Sequence, residues 1–368
     1  MKQQTSAAIE TQSKSRIITD YQGREIYVGI DVHKKDWQAG IFYAGLILGN
    51  HRVTGNSDEL IRFLQKNYPG ARLKCVYESC AWGFTLQRAL QGAGMDCIVV
   101  HAGDVPGSDK EKQNKTDKVD AVRLARHHAA GLLQAIHIPD AQWQKERNLV
   151  RFRKRLQADL NRCKNRLKSL LKFQGIIIPV ALDTSHWSKN LMSWIEQQAS
   201  QDVLLADTLL LMLKEVTVLR QLLLETERKL RALMKQPKYA ARMELLKNIP
   251  GVGQQLSTLF LLEIGDIKRF KSFDQLNSFV GFYPGSDSSG ENNRSTGISN
   301  RRHNQLRSLL VEAAWIAVRK DPAMLQTYQQ LIKKMKGNAA IIRIARKLLR
   351  RIRAVLISGQ QYQKGVVA

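Results

Sequence analysis

The chain has 368 residues, with 58 Lys and Arg against 32 Asp and Glu and a formal net charge of +26. At 43% hydrophobic and 7% aromatic residues it is a globular protein, not a disordered tail, and it is long enough for about two or three domains. An excess of cations spread over the whole chain points to a phosphate-bearing partner, nucleic acid above all.

Residues 1–25 read as a polar leader without the apolar core of a secretory signal. The most apolar run, Val203–Leu213, is interrupted by Asp207 and is too short to span a bilayer. Cys75, Cys80, Cys97 and Cys163 contain no Cys-x-x-Cys pair, which argues for free thiols and against zinc. The expectation is a cytoplasmic, nucleoid-associated protein with no membrane partner.

From Ile26 the pattern alternates strands and helices. Ile26–Val32, Trp37–Tyr43 and Ile47–Val53 read as three strands, then Ser57–Asn67 as an amphipathic helix. Leu73–Tyr77 is a strand ending at Glu78, Trp82–Gln91 a helix, Asp96–His101 a strand, and Thr116–His128 a helix. Three strands, helix, strand, helix, strand, helix is the order of the ribonuclease H-like fold. This α/β domain is expected over 26–140.

A basic helix and coiled-coil segment is expected over 141–236. Ala141–Phe173 interleaves cations with leucines, and so many like charges would repel unless phosphates lie nearby. Arg147, Arg151, Arg155, Arg162 and Lys168 are its candidate nucleic-acid contacts. Residues 175–200 read as a connector. In Val203–Met234, Leu209, Val216, Leu223 and Leu230 recur every seven residues. They suit either an intramolecular hairpin or a contact between subunits.

A mainly helical domain closes the chain over 237–368. Ile249-Pro-Gly-Val-Gly253 followed by Gln254–Ile264 matches a helix–hairpin–helix, whose turn would offer N–H groups to a phosphate at Gly251 and Gly253. A Gly/Ser-rich loop runs from Pro284 to Gly297, with Arg294, Arg301 and Arg302 as further candidate contacts. Helices over Asn304–Lys320 and Ala339–Leu356 follow.

Four acids stand out. Asp31 ends the first strand and Glu78 the fourth, and these strands are neighbours in a ribonuclease H-like sheet. Asp117 and Asp120 are three apart on a helix and share a side of it, with Thr116 placed to cap it. Carboxylates gathered at one point repel unless cations join them. An oxygen-only set suits Mg²⁺ or Mn²⁺, and two such ions about 4 Å apart polarise a phosphodiester. His33 reads as a surface histidine in a turn. Sugar kinases also begin with a Gly-x-Asp strand, but the Val-His-Lys-Lys after Asp31 offers no phosphate loop.

In order along the chain stand Tyr27-Val-Gly-Ile-Asp-Val-His-Lys34, Tyr77-Glu78-Ser79, Asn114-Lys-Thr-Asp-Lys-Val-Asp-Ala121, Asn248-Ile-Pro-Gly-Val-Gly253 and Phe279-Val-Gly-Phe-Tyr-Pro284 with Ser289-Gly290. Together they closely resemble the DEDD transposases of the IS110 group, relatives of the Piv invertase. The resemblance runs from about residue 26 to 358. It implies a RuvC-like domain, a coiled-coil segment and a C-terminal transposase domain. It also implies a site-specific DNA recombinase guided by a structured bridge RNA that pairs with donor and target DNA. The family's acidic tetrad falls on Asp31, Glu78, Asp117 and Asp120. Its nucleophilic serine falls on Ser289, five residues after Pro284, and would form a covalent phosphoserine with DNA. Ser286, Ser288 and Ser295 compete for that register. A serine is a weak nucleophile unless activated, and no histidine stands nearby in sequence, so activation would fall to the metal site.

Strand exchange implies a homo-oligomer, dimer or tetramer. The competing enzyme reading is a metal-dependent, structure-selective nuclease akin to a Holliday-junction resolvase, which would use the tetrad and ignore Ser289.

Overall fold

The computed structural model describes residues 20–107, 116–184, 187–200, 203–289, 292–299 and 301–365; the side chains of 203, 284–289 and 292–297 are outside that description. The chain divides into two compact units, Met1–Pro139 and Asp140–Ala368.

The first unit is built on five strands, β1 (Glu25–Val32), β2 (Asp36–Tyr43), β3 (Leu46–Thr54), β4 (Arg72–Glu78) and β5 (Asp96–Val100). The sheet order is β3-β2-β1-β4-β5. β1–β2 and β2–β3 pair antiparallel, and β1–β4 and β4–β5 pair parallel. A mixed five-stranded sheet followed by helices is consistent with the ribonuclease H-like architecture.

Strand parity sorts the side chains. Successive residues point to opposite faces, so Ile26, Val28, Ile30, Ala39, Ile41, Cys75 and Tyr77 enter one core. That core is closed by Leu60 and Leu64 of α1 (Ser57–Asn67) and by Leu86 and Leu90 of α2 (Thr85–Gly92). α2 begins at Thr85, not Trp82, because Gly83 adopts φ +63° and its carbonyl accepts a hydrogen bond from the Tyr77 hydroxyl (2.9 Å). The intervening residues Gly29, Asp31, Gln38, Gly40, Val76 and Glu78 therefore fall on the opposite face, which α3 (Asp117–Ala129) covers through Ala121, Leu124 and Ala125.

The second unit opens with α4 (Ala141–Phe173), capped by Asp140, whose carboxylate accepts from Trp143 N at 2.7 Å. Leu160, Cys163, Leu167 and Leu171 of α4 pack with Leu209, Leu213 and Val216 of α6 (Val203–Met234). The expected connector over 175–200 contains a further helix, α5 (Lys189–Ala199). Ser188 caps it, and Leu191, Ile195 and Ala199, spaced by four, bury one face of it in the same core. The heptad of α6 is thus used within the chain, against α4 and α5.

α7 (Pro237–Lys247) and α8 (Gln254–Ile264) flank the Ile249–Gly253 turn. After α9 (Phe273–Val280), the stretch expected as a loop forms an antiparallel hairpin, β6 (Pro284–Ser289) with β7 (Asn292–Ile298). Its run of Ser, Asn and Gly has no apolar alternation, so period alone could not mark it as strand. α10 (Asn304–Lys320), α11 (Pro322–Ile332) and α12 (Gly337–Ser358) complete the chain. α11 was not expected; Asp321 caps it and Pro322 occupies its first turn.

A buried ion cluster ties α4, α8 and the start of α10 together. Glu263 takes Arg147 Nη2 at 2.8 Å and Arg151 Nε at 2.7 Å, and lies 3.5 Å from His303 Nε2. Burial acts to raise the Glu263 pKa, but the His303 and Arg151 hydrogen bonds and the Arg147 charge outweigh it, holding the carboxyl far below its usual range. A depressed folded pKa stabilises the protein above the unfolded-state value and loses that contribution as pH falls. Glu263→Ala leaves partly buried Arg147 and half-exposed Arg151 without their carboxylate and should cost about 1–3 kcal/mol at pH 7. The urea midpoint at pH 7 checks this, and the gap to wild type should narrow in acid. A variant with an unchanged midpoint would show that the cluster does not hold the unit together.

Candidate metal centre

The sheet face under α3 carries the site. β1 and β4 run side by side with Ile30 opposite Tyr77, so the next residues, Asp31 and Glu78, leave the two adjacent strand ends together. α3 crosses above them, and Thr116 caps it by accepting from Val119 N. Its first turn supplies Asp117 and Asp120. All four predicted acids therefore lie at one end of one face.

What holds α3 so low is the absence of side chains beneath it. A Cβ built at Gly29 would fall on the Ala121 carbonyl oxygen and 2.6 Å from Ala125 N. One at Gly40 would lie 2.6 Å from Val122 N. Polar bonds add a tether at the helix start. Buried Gln38 bonds to Asn50 Oδ1, and Asn50 Nδ2 donates to the Lys118 carbonyl at 2.8 Å.

The carboxylates do not share one partner. His33 Nε2 lies 3.1 Å from Asp31 Oδ2 and 3.3 Å from Asp117 Oδ1. Arg123 Nη2 lies 2.8 Å from Asp120 Oδ1 and 4.0 Å from Glu78 Oε1. Asp120 is buried, whereas Asp117 is exposed. The three-residue spacing placed both on one side of the helix, but their depths differ and so do their cations.

Electrostatics follows from this crowding. Burial raises the Asp31 pKa, the Asp117 and Asp120 charges add to the rise, and contact with His33 offsets it only in part. Burial lowers the His33 pKa, but the Asp31 and Asp117 carboxylates outweigh it and the net shift is upward. The expected surface histidine is thus drawn into the site. It stands two residues after Asp31, a spacing that returns a strand residue to the same face, and that was the signal for it. The signal for Arg123 was its position three after Asp120 on the helix.

The donor set fits a divalent cation. Asp31, His33 and Asp117 each place a ligand atom within 4.8 Å of the other two. Carboxylate oxygens are the ligands of hard divalent ions, and an imidazole nitrogen beside them is compatible with Mn²⁺.

The predicted nucleic-acid contacts are placed as follows. Arg147 and Arg151 pair with Glu263, Arg147 largely covered and Arg151 half exposed. Arg162 pairs with Asp159 and Lys168 with Asp183. Arg155 is exposed and has no ion pair among the described residues. Gly251 has φ +87°, and a Cβ there would meet the Ala313 carbonyl and lie 3.1 Å from Ala317 N. Its missing Cβ lets the turn pack closely on α10. Gly253 begins α8 with open space where a Cβ would be and no side-chain cap.

Ser289 is the last residue of β6 and pairs with Asn292; its side chain, like that of Arg294, is outside the described set. The base of this hairpin is fixed by Arg307, a residue the sequence reading passed over. Its Nη1 donates to the Gly281 carbonyl at 3.1 Å and the Ser299 carbonyl at 3.0 Å. Arg302 Nε donates to Asn304 Oδ1 at 2.6 Å, and Arg301 N to Ser299 Oγ at 3.1 Å. No helix among the described residues is long and apolar enough to cross a membrane.

A DEDD transposase family model matches residues 28–175, which contain all four acids. A model described as the transposase IS116/IS110/IS902 family matches residues 243–329, which contain the Ile249–Gly253 turn, α8 and the hairpin. The chain is 30% identical over 306 residues to y4qE of Sinorhizobium fredii, a transposase by name, covering 82% of this chain and 73% of that one. It is 27% identical over 255 residues to the transposase for insertion sequence element IS1533 of Leptospira borgpetersenii, covering 67% and 71%. It is 24% identical over 345 residues to the transposase for insertion sequence element IS1111A of Coxiella burnetii, covering 92% and 91%. With acids, helical unit and relatives in agreement, the chain belongs to the IS110-type DEDD transposases and is a DNA transposase.

Proposed function

We propose that this transposase is a site-specific recombinase that uses a guide RNA to select its DNA. The convergence of Asp31, Glu78, Asp117 and Asp120 on one end of the α3 face supports the phosphodiester chemistry of this reading. These residues would hold Mg²⁺ or Mn²⁺. When bound, such an ion polarises a phosphodiester and steadies the attacking and leaving oxygens.

The chain's own groups carry the rest. His33 and Arg123 keep the carboxylates apart in register with one another. Ser289 supplies the nucleophile: its Oγ bonds to phosphorus, its proton leaves to a base, and one sugar hydroxyl departs. The phosphoserine ester conserves the bond energy, and attack by a hydroxyl of the exchanged strand releases the serine. No nucleoside triphosphate is consumed. The division of labour follows the two units, with the acids in the first and Ser289 in the second.

Double-stranded element ends and target DNA are the substrates, and a structured bridge RNA is the guide. Exposed Arg155 and the open side of Gly253 are the contacts on the second unit best suited to backbone phosphates. A dimer or tetramer is supported by α6, where Leu204, Leu211 and Val218 repeat every seven residues on an exposed face.

Ser289→Ala tests the covalent step. Labelled element-end DNA, Mg²⁺ and the co-expressed RNA are incubated with protein and resolved on a denaturing gel. Wild type should give label at protein mass, and the variant none. Equal cleavage by both without any adduct would favour the resolvase-like nuclease.

A further inference from the structure

The two cations inside the acidic cluster are not equivalent. His33 sits at the rim, its side chain 52% exposed, between Asp31 and exposed Asp117. It can turn into water and leave that pair open. Arg123 sits deeper, 13% exposed, with its guanidinium between Asp120, 9% exposed, and Glu78. Its guanidinium is a planar cation with a fork of N–H donors. It occupies the space between its two carboxylates, 2.8 Å from Asp120 Oδ1 and 4.0 Å from Glu78 Oε1. A divalent cation entering there would have to displace it or accept its repulsion, and repulsion between charges a few ångströms apart is large where solvent is excluded.

We propose that Arg123 is the resident occupant of the second cation position, so that the DNA-free protein takes up one divalent ion, at Asp31 and Asp117. Two-ion chemistry then requires that the guanidinium be drawn off first. The phosphate of bound DNA is an anion of the right kind to do this, because arginine pairs with phosphate as readily as with carboxylate. Arg123 thus makes a cleavage-ready centre depend on substrate. It acts through Glu78 and Asp120, as a positioning residue. The inference rests on reading the four acids as a divalent-cation centre.

Mn²⁺ titration of the full chain without DNA, with free Mn²⁺ followed by electron paramagnetic resonance, tests it. Wild type should bind one ion per chain at the site, and Arg123→Gln should bind two. Arg123→Lys, which keeps the charge, should stay at one. Glu78→Gln should leave the single ion in place, and Asp117→Asn should remove it; these two keep the test decisive if Arg123→Gln melts early. Two ions in wild type, or one ion at unchanged affinity in a folded Arg123→Gln, overturn the proposal while the metal centre stands. Wild type binding no better than Asp31→Asn would remove the metal centre itself, and the role of Arg123 with it.

Discussion

Asp31→Ala is expected to lower strand cleavage by about a thousandfold or more while leaving DNA binding in place. The reason is local. Asp31 leaves the strand end next to Glu78 and is the carboxylate shared between the sheet and His33. A bound divalent ion supplies several kcal/mol of charge stabilisation in the transition state, and each 1.36 kcal/mol is about tenfold in rate. Glu78→Ala should behave alike. Affinity for DNA rests on cations elsewhere, so a gel-shift assay should show it retained for both variants. Cleavage by either variant at a rate near wild type would remove these acids from the reaction.

Gly29→Ala should be nearly as damaging, from a residue that carries no chemistry. Its methyl would press on the Ala121 carbonyl and Ala125 N of α3. To restore contact distance the helix must retreat by on the order of 1 Å. Overpacking of this kind costs about 1–3 kcal/mol. The larger effect is on activity, since α3 carries Asp117 and Asp120, and a displacement of about 1 Å at a reacting centre can cost about a hundredfold. Gly40→Ala should follow the same direction, because it meets the same helix at Val122 N. Gly92→Ala is the control. It sits in α2 with nothing within 4 Å of the added methyl, so it should melt at or above the wild-type temperature and cut normally. Thermal melts and cleavage rates of the three variants decide the matter. A Gly29→Ala protein that melts and cuts like wild type would show that α3 is not held by this close approach.

These variants also separate two kinds of information in the chain. Much of the first unit was legible from residue order. Ile26, Val28 and Ile30 alternate with Tyr27, Gly29 and Asp31, and that period dictates which face each residue takes. Once β1 and β4 are neighbours, the acids that follow Ile30 and Tyr77 must come together. Asp117 and Asp120 were legible because a helical period returns to the same side after three residues. The helices of the second unit with strong apolar spacing, α4 and α6, were legible on the same ground, and α8 from the Ile249–Gly253 turn before it.

Other features were set by packing, and no local pattern announces them. The hairpin of β6 and β7 is held by pairing between strands of Ser, Asn and Gly, which carry no apolar period. α5 buries only three residues, Leu191, Ile195 and Ala199, too short a stripe to stand out in a Pro- and Ser-containing connector. Arg147 and Arg151 meet Glu263, which lies more than a hundred residues away, so no local pattern shows that pairing. Periodicity identifies which residues share a face. It does not say which opposite charge will meet them there.

The sequence by itself determined the α/β order, the four acids and their common face, because strand and helix periods are local and steric. The tertiary structure decided how those acids are partitioned. His33 joins Asp31 to Asp117 and Arg123 joins Asp120 to Glu78 only because α3 can settle onto Gly29 and Gly40. Coulomb interactions fall off over a few ångströms in screened surroundings, so the pairing depends on a helix height that no stretch of sequence specifies alone.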